Sequence, residues 1–154
     1  MSHVHEYRTR LEWSGSTAEG YEHYERGHTV RAEGAAATLE LSSDPVFLGD
    51  PTLLDPEQLL VAAASSCQLL SFLAGAARSG IDVLEYSDDA EGTMDDSRRP
   101  AWVERIVLRP RIVVAPGTDE ERVRRLVEKG HENCFIANTV RSEITIEAEI
   151  EVRS

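Results

Sequence analysis

The sequence predicts an α+β domain, and three observations carry that prediction. A run without charge, from Leu59 to Ala77, follows a complete helix-start signal at Asp55-Pro56-Glu57-Gln58. Alternating apolar residues mark extended segments after it, at Ile106, Leu108, Ile112 and Val114, and again at Ile144, Ile146, Ala148, Ile150 and Val152. A second helical pattern separates those two segments, so strands and helices share one short chain. At 154 residues the chain is long enough for a real core and short for two domains, so we expect a single domain over residues 1–154.

The first third reads as β structure. Tyr7, Leu11 and Trp13 punctuate a polar strand, and Ser14-Gly15-Ser16 is a turn signal. Further short strands are expected over Tyr21 to Arg31 and Ala36 to Leu41. Residues Ser43 to Leu54, with Pro45, Gly49, Asp50 and Pro51, form a loop. Asp55 then supplies a helix N-cap, Pro56 the first helical position and Glu57 a favourable first-turn charge. This helix should run to about Ser79, where Gly80 stops it. Being apolar nearly all round, it must be enclosed by a sheet or by a second subunit.

After Gly80 we expect a long strand from Ile81 to Met94, a polar turn from Asp95 to Pro100 and a second long strand from Trp102 to Val114. Thr118 and Glu121 have the spacing of a capping box, opening a helix whose apolar stripe is Val123, Leu126 and Val127 and whose end lies near Gly130. A last strand carries the alternation from Ile144 to Val152.

Composition narrows the function. A hydrophobic fraction of 41% with 29% charge is ordinary for a folded protein and argues against disorder. The net charge of −12 repels phosphate backbones and anionic headgroups, so nucleic acid and membrane surfaces are poor partners. The uncharged run is close to the ~20 apolar residues that cross a bilayer. It is Ala-rich, however, contains Ser65, Ser66, Gln68, Ser71 and Gly75, and lacks a flanking basic cluster, which fits a buried central helix better. Met1 to Arg10 are polar, without the apolar run of a secretory signal, so a reducing cytoplasm is expected. Two cysteines there point to catalysis, redox chemistry or metal binding rather than to a structural staple.

Cys67 lies mid-helix in Ala64-Ser65-Ser66-Cys67-Gln68, where a small core hydrophobe is the default reading. The polar residues around it need partners or a cavity. Cys134 follows the second helix in His131-Glu132-Asn133-Cys134, a spacing open to half a metal site or to a histidine beside a redox thiol. Zinc would need four N/S ligands, and Cys67, His3, His5, His23 and His28 offer no paired spacing, so no metal is expected. His131 itself suits a cation at the end of a helix. Arg26 and His28, in Glu25-Arg26-Gly27-His28, read by default as surface residues.

The segment Asp55-Pro56-Glu57-Gln58-Leu59-Leu60-Val61-Ala62-Ala63-Ala64-Ser65-Ser66-Cys67 resembles the central-helix motif of the osmotically inducible protein C and organic hydroperoxide resistance family, in which the reactive cysteine follows the glutamate by ten residues. His131-Glu132-Asn133-Cys134 resembles its second motif, and the order of elements agrees from about Tyr7 to Val152. The resemblance implies an intertwined homodimer whose long central helices are wrapped by antiparallel sheets. It implies a thiol peroxidase without a cofactor, acting on organic hydroperoxides and more slowly on hydrogen peroxide. Cys67 would be the peroxidatic residue and Cys134 the resolving one, with an external dithiol of lipoyl or thioredoxin type as reductant.

An unperturbed thiol, of pKa about 8.5, is only a few per cent ionised at neutral pH, and burial raises it further. The family offsets this with an arginine from the N-terminal strands held by the helix-start glutamate, which implies Glu57 and Arg26 here, or else Arg31. Because Glu57 and Cys67 stand roughly 15 Å apart along one helix, Arg26 and Glu57 are expected to serve Cys67 of the partner subunit. The other reading is a non-catalytic relative that binds a small apolar ligand at the dimer interface.

Overall fold

The computed structural model describes residues 2–154. It contains nine strands and two α-helices among the described residues, in two compact units that divide at Leu59 and Leu60.

The first unit is a three-stranded antiparallel meander of β1 (Thr9–Glu12), β2 (His28–Ala32) and β3 (Leu39–Leu41). Strand β2 is shorter than the Tyr21 to Arg31 segment expected from its composition. The Arg26 guanidinium donates to the carbonyls of Tyr24 (2.8 Å) and Tyr21 (2.6 Å), which coils the preceding residues into turns. The loop of residues 43–54 is present, with a short 3₁₀ turn at Pro45–Phe47 capped by Asp44.

Helix α1 (Pro56–Arg78) begins and stops where the sequence places it. Asp55 accepts from the Gln58 N–H (2.7 Å), and the Gln58 side chain accepts from the Asp55 N–H (3.1 Å), a reciprocal cap that satisfies two otherwise orphaned donors. At the other end Gly80 takes φ of 69°, a conformation that other residues adopt only with strain.

In the second unit, each of the three long strands expected from the sequence divides in two. The first becomes β4 (Val83–Asp88) and β5 (Glu91–Met94), the second β6 (Val103–Leu108) and β7 (Pro110–Val114), the third β8 (Glu143–Ile146) and β9 (Glu149–Val152). The halves sort into two sheets, ordered β4-β7-β9 and β5-β6-β8. The break between β6 and β7 has two causes. Pro110 has no N–H to give, and the Arg109 N–H donates to the Asp88 carboxylate (2.6 Å) instead of continuing a ladder. The same carboxylate accepts from Ser65 of α1, so the break in the sheet is tied to the helix.

The sheets are mixed, which corrects the expectation of antiparallel ones. Strands β8 and β9 run parallel to β6 and β7. Parallel neighbours need a crossover, and α2 (Glu120–Glu132) is that crossover. Its N-cap is Asp119, which accepts from the Glu121 N–H, rather than Thr118, whose hydroxyl donates to the Ala115 carbonyl (2.7 Å). The helix also runs past Gly130 to a cap at Asn133.

Two apolar clusters fill this unit. Phe72 and Ala76 of α1 pack with Val123 and Val127 of α2 and with Ile112 and Val114 of β7, while Ala64 packs with Val103, Ile106 and Leu108 of β6. Thus α1 buries the stripe Ala64, Gln68, Phe72 and Ala76, as a core helix does. The opposite stripe (Ala62, Ser66, Leu70, Leu73, Ala77) is open in the single chain, so the helix is only partly enclosed by its own sheets.

The cap at the start of α1 is testable. Replacing Asp55 by Ala should lower unfolding free energy by about 1–2 kcal/mol, read from urea denaturation, and unchanged stability would show that Gln58 alone suffices.

Candidate functional site

The long crossover returns the chain from the end of α2 toward α1, and it brings the two cysteines together. Cys134 lies one residue past the α2 cap, in a turn where the Asn138 and Val140 N–H groups bond back to the carbonyls of Cys134 and Ile136. The Cys134 N–H bonds the His131 carbonyl, while those of Phe135, Ile136 and Ala137 have no backbone acceptor in the turn. That of Ala137 donates to the Cys134 sulfur at 3.4 Å. Those of Ile136 and Phe135 face Cys67, as do the Cys134 thiol and the Ser71 hydroxyl one turn further along α1. Both cysteines are free thiols, Cys67 half-buried and Cys134 buried.

This arrangement separates the acidity of the two sulfurs. Burial pushes the Cys67 thiol up, but hydrogen bonds from Cys134, the Ile136 and Phe135 amides and Ser71 outweigh it and leave the thiol below its ordinary value. Burial also pushes Cys134 up, and its bond to Cys67 adds to that, so Cys134 holds its proton more firmly than Cys67 does. The result is a Cys67 thiol that ionises more readily than an ordinary one, beside a Cys134 thiol that ionises less readily. A cation is the expected offset to burial of this thiol. Within 60–154, neutral donors do so, because Cys67 is only half-buried and a ring of amide, hydroxyl and thiol groups surrounds it.

Arg26 and Glu57 belong to the first unit. Arg26 lies over the rings of Tyr24 (4.0 Å) and Tyr21 (4.8 Å) while bonding their carbonyls, so its own loop holds it. It forms no ion pair with Glu57 among the described residues. Its carbonyl accepts from His28 Nδ1 at 2.8 Å, which sets that ring's tautomer. Arg31 is exposed on β2. His131 occupies the last turn of α2, but Asn133 makes the cap, bonding the Lys129 carbonyl through both backbone and side chain, and His131 Nδ1 has no partner. No cluster of metal-ligating side chains occurs among the described residues. Ser71 is the site residue that sequence reasoning missed. Its one signal was its place four residues after Cys67 on the same helix, one turn away.

Residues 49–149 match the family model described as OsmC-like protein. The chain belongs to the OsmC-like family. It is 31% identical to an OsmC-like protein of unknown function from Vibrio cholerae O1 biovar eltor, whose structure superimposes with a TM-score of 0.84 over 95% of this chain and all of that one. An organic hydroperoxide resistance protein from Elizabethkingia anophelis, crystallised with thiocyanate bound, shares the fold at 18% identity and a TM-score of 0.73, covering 99% of this chain and 100% of that one. The uncharacterized protein YmaD of Bacillus subtilis (strain 168) is 22% identical over 102 residues, 64% of this chain and 68% of YmaD.

The hydrogen bond between the thiols makes an OsmC-like site open to direct titration. Replacing Cys134 by Ala should raise the Cys67 pKa, so that its thiolate absorbance appears at higher pH than in the wild type. Cys134→Ser, which keeps an O–H donor, should shift it less. Identical titration curves for all three proteins would show that Cys134 does not support the thiolate.

Proposed function

We propose that this OsmC-like chain is a thiol peroxidase that reduces organic hydroperoxides, and hydrogen peroxide more slowly. The observation that supports this reading is the thiolate-prone Cys67 in hydrogen-bond contact with a protonated Cys134. The Cys67 thiolate attacks the terminal oxygen of the hydroperoxide. An S–O bond forms as the O–O bond breaks, and the alkoxide leaves and takes a proton to become the alcohol. The Cys134 sulfur then attacks the sulfenic sulfur, closing the disulfide and releasing water. A dithiol of lipoyl or thioredoxin type returns both thiols by exchange, so one hydroperoxide and one dithiol yield alcohol, water and the oxidised dithiol.

A homodimer belongs to this reading. Leu70 on the open stripe of α1 is 63% exposed, and Phe135, beside Cys134, is 80% exposed. Large apolar groups exposed at a reactive site call for a cover, and a second copy provides it symmetrically. Both units then serve one domain, with Arg26 and Glu57 acting on Cys67 of the partner subunit. With a net charge of −12 the partners are small molecules and a second copy rather than nucleic acid or membrane, in a reducing cytoplasm.

Stopped-flow reduction of cumene hydroperoxide and hydrogen peroxide by the pre-reduced protein tests the activity. Wild type should consume the organic peroxide faster and form an intramolecular disulfide. Cys67→Ser should be inactive, and Cys134→Ser should accumulate a sulfenic acid that dimedone traps. Equal slow rates for wild type and Cys67→Ser would leave a non-catalytic binder of small apolar ligands. The dimer is tested by sedimentation alongside activity, and a monomer with full activity would end the role assigned to Arg26 and Glu57.

A further inference from the structure

Gln68 is a polar residue where an apolar one would be the simpler choice. It lies between Ala64 and Phe72 on the buried stripe of α1 and is 1% exposed. A buried amide is unfavourable unless its groups are bonded, and a leucine of similar size would carry no such penalty. Gln68 makes one bond, from Nε2 to the Val127 carbonyl of α2 at 3.0 Å, and its Oε1 has no partner. Stability alone does not favour this residue. What the bond does is join α1 to α2 near the end of α2, at the residue next to Cys67.

Gly130 marks the same contact from the other helix. It sits inside α2, where glycine is the poorest helix former after proline, and its φ is not positive, so conformational freedom is not its purpose. The reason is space. A Cβ there would lie 3.1 Å from the Phe72 nitrogen, 3.2 Å from the Phe72 Cα and 3.3 Å from Gln68 Nε2. The backbones of the two helices meet at this point, and Cys134 follows Gly130 by about one helical turn.

We propose that Gln68 and Gly130 are positioning residues for the thiol pair. Gly130 lets the end of α2 approach α1, Gln68 fixes its height by bonding Val127, and the turn that follows then carries Cys134 and its free amides onto Cys67. The proposal rests on reading the two thiols as a redox pair, but not on which oxidant they meet.

The test uses the full chain equilibrated in glutathione redox buffers, with the Cys67–Cys134 disulfide quantified by alkylation and mass. Each closure converts one glutathione disulfide into two glutathiones, so the equilibrium constant gives the effective concentration of one thiol at the other, with no peroxide involved. Gln68→Met keeps the length and loses the donor, while Gly130→Ala adds only the Cβ. Each should lower the constant by about fivefold or more, the worth of one ordinary hydrogen bond, and should bring the Cys67 titration back toward that of a free thiol. Folded variants with an unchanged constant and an unchanged titration would overturn the proposal, as would a wild type that closes no intramolecular disulfide. Should Gln68→Met fail to fold, Gly130→Ala decides alone. A wild type that closes the disulfide normally yet ignores hydroperoxides would refute the peroxidase reading and leave the positioning roles standing.

Discussion

The antiparallel register of α2 on α1 is the constraint from which the rest of the second unit follows. Arg122 bonds the Ser79 carbonyl, Leu126 reaches Gly75, Val127 accepts from Gln68, and Gly130 meets Phe72. Successive contacts move up one helix and down the other, and Phe72, Ala76, Val123 and Val127 fill the space between. Such packing is close to crystalline in density, so a shift of one residue would displace every contact together. Because α2 is the crossover, the same register sets where β8 and β9 begin and makes them parallel to their neighbours. The thiol pair is therefore a product of helix packing more than of the loop that carries Cys134.

What was legible in the sequence was local or repeated. The Asp55 to Gln58 cap, the glycine stop at Gly80 and the apolar alternation each involve residues within a few positions, and each stands where expected. The two cysteine motifs were legible because their spacings are short, the first within α1 and the second from the last turn of α2 into the turn that follows. The division of the long strands was not, because it depends on Asp88 capturing the Arg109 N–H from 21 residues away. The turns before β2 were hidden for a related reason. Arg26 has the same letters around it whether its guanidinium faces outward or folds back over Tyr21 and Tyr24. The donors to Cys67 were the least legible, since backbone amides look the same at every position in a sequence.

Two signals were present without being decisive. Gln68 interrupted an apolar run, and Gly130 stood where the second helical pattern was expected to end. Either alone is commonplace, and only the distance between them in the fold gives them one meaning. The converse holds for His131, whose spacing to Cys134 looked chemical, whereas Asn133 does the capping and the Cys134 turn does the work at the sulfur.

The thiolate of Cys67 is supported within its own unit by an S–H, two N–H groups and an O–H rather than by a formal charge. Dipoles of this kind act over a hydrogen-bond length and lose their effect beyond it. Dissolved ions screen charges that stand apart from one another across about 10 Å at 0.1 M salt, and they barely touch a bond made in contact. The share of the acidity set in this way holds steady as the ionic strength of the surroundings rises and falls. For a chain of net charge −12, whose long-range field opposes a further negative charge and fades as salt is added, the contact donors are the part of the Cys67 environment that salt leaves in place.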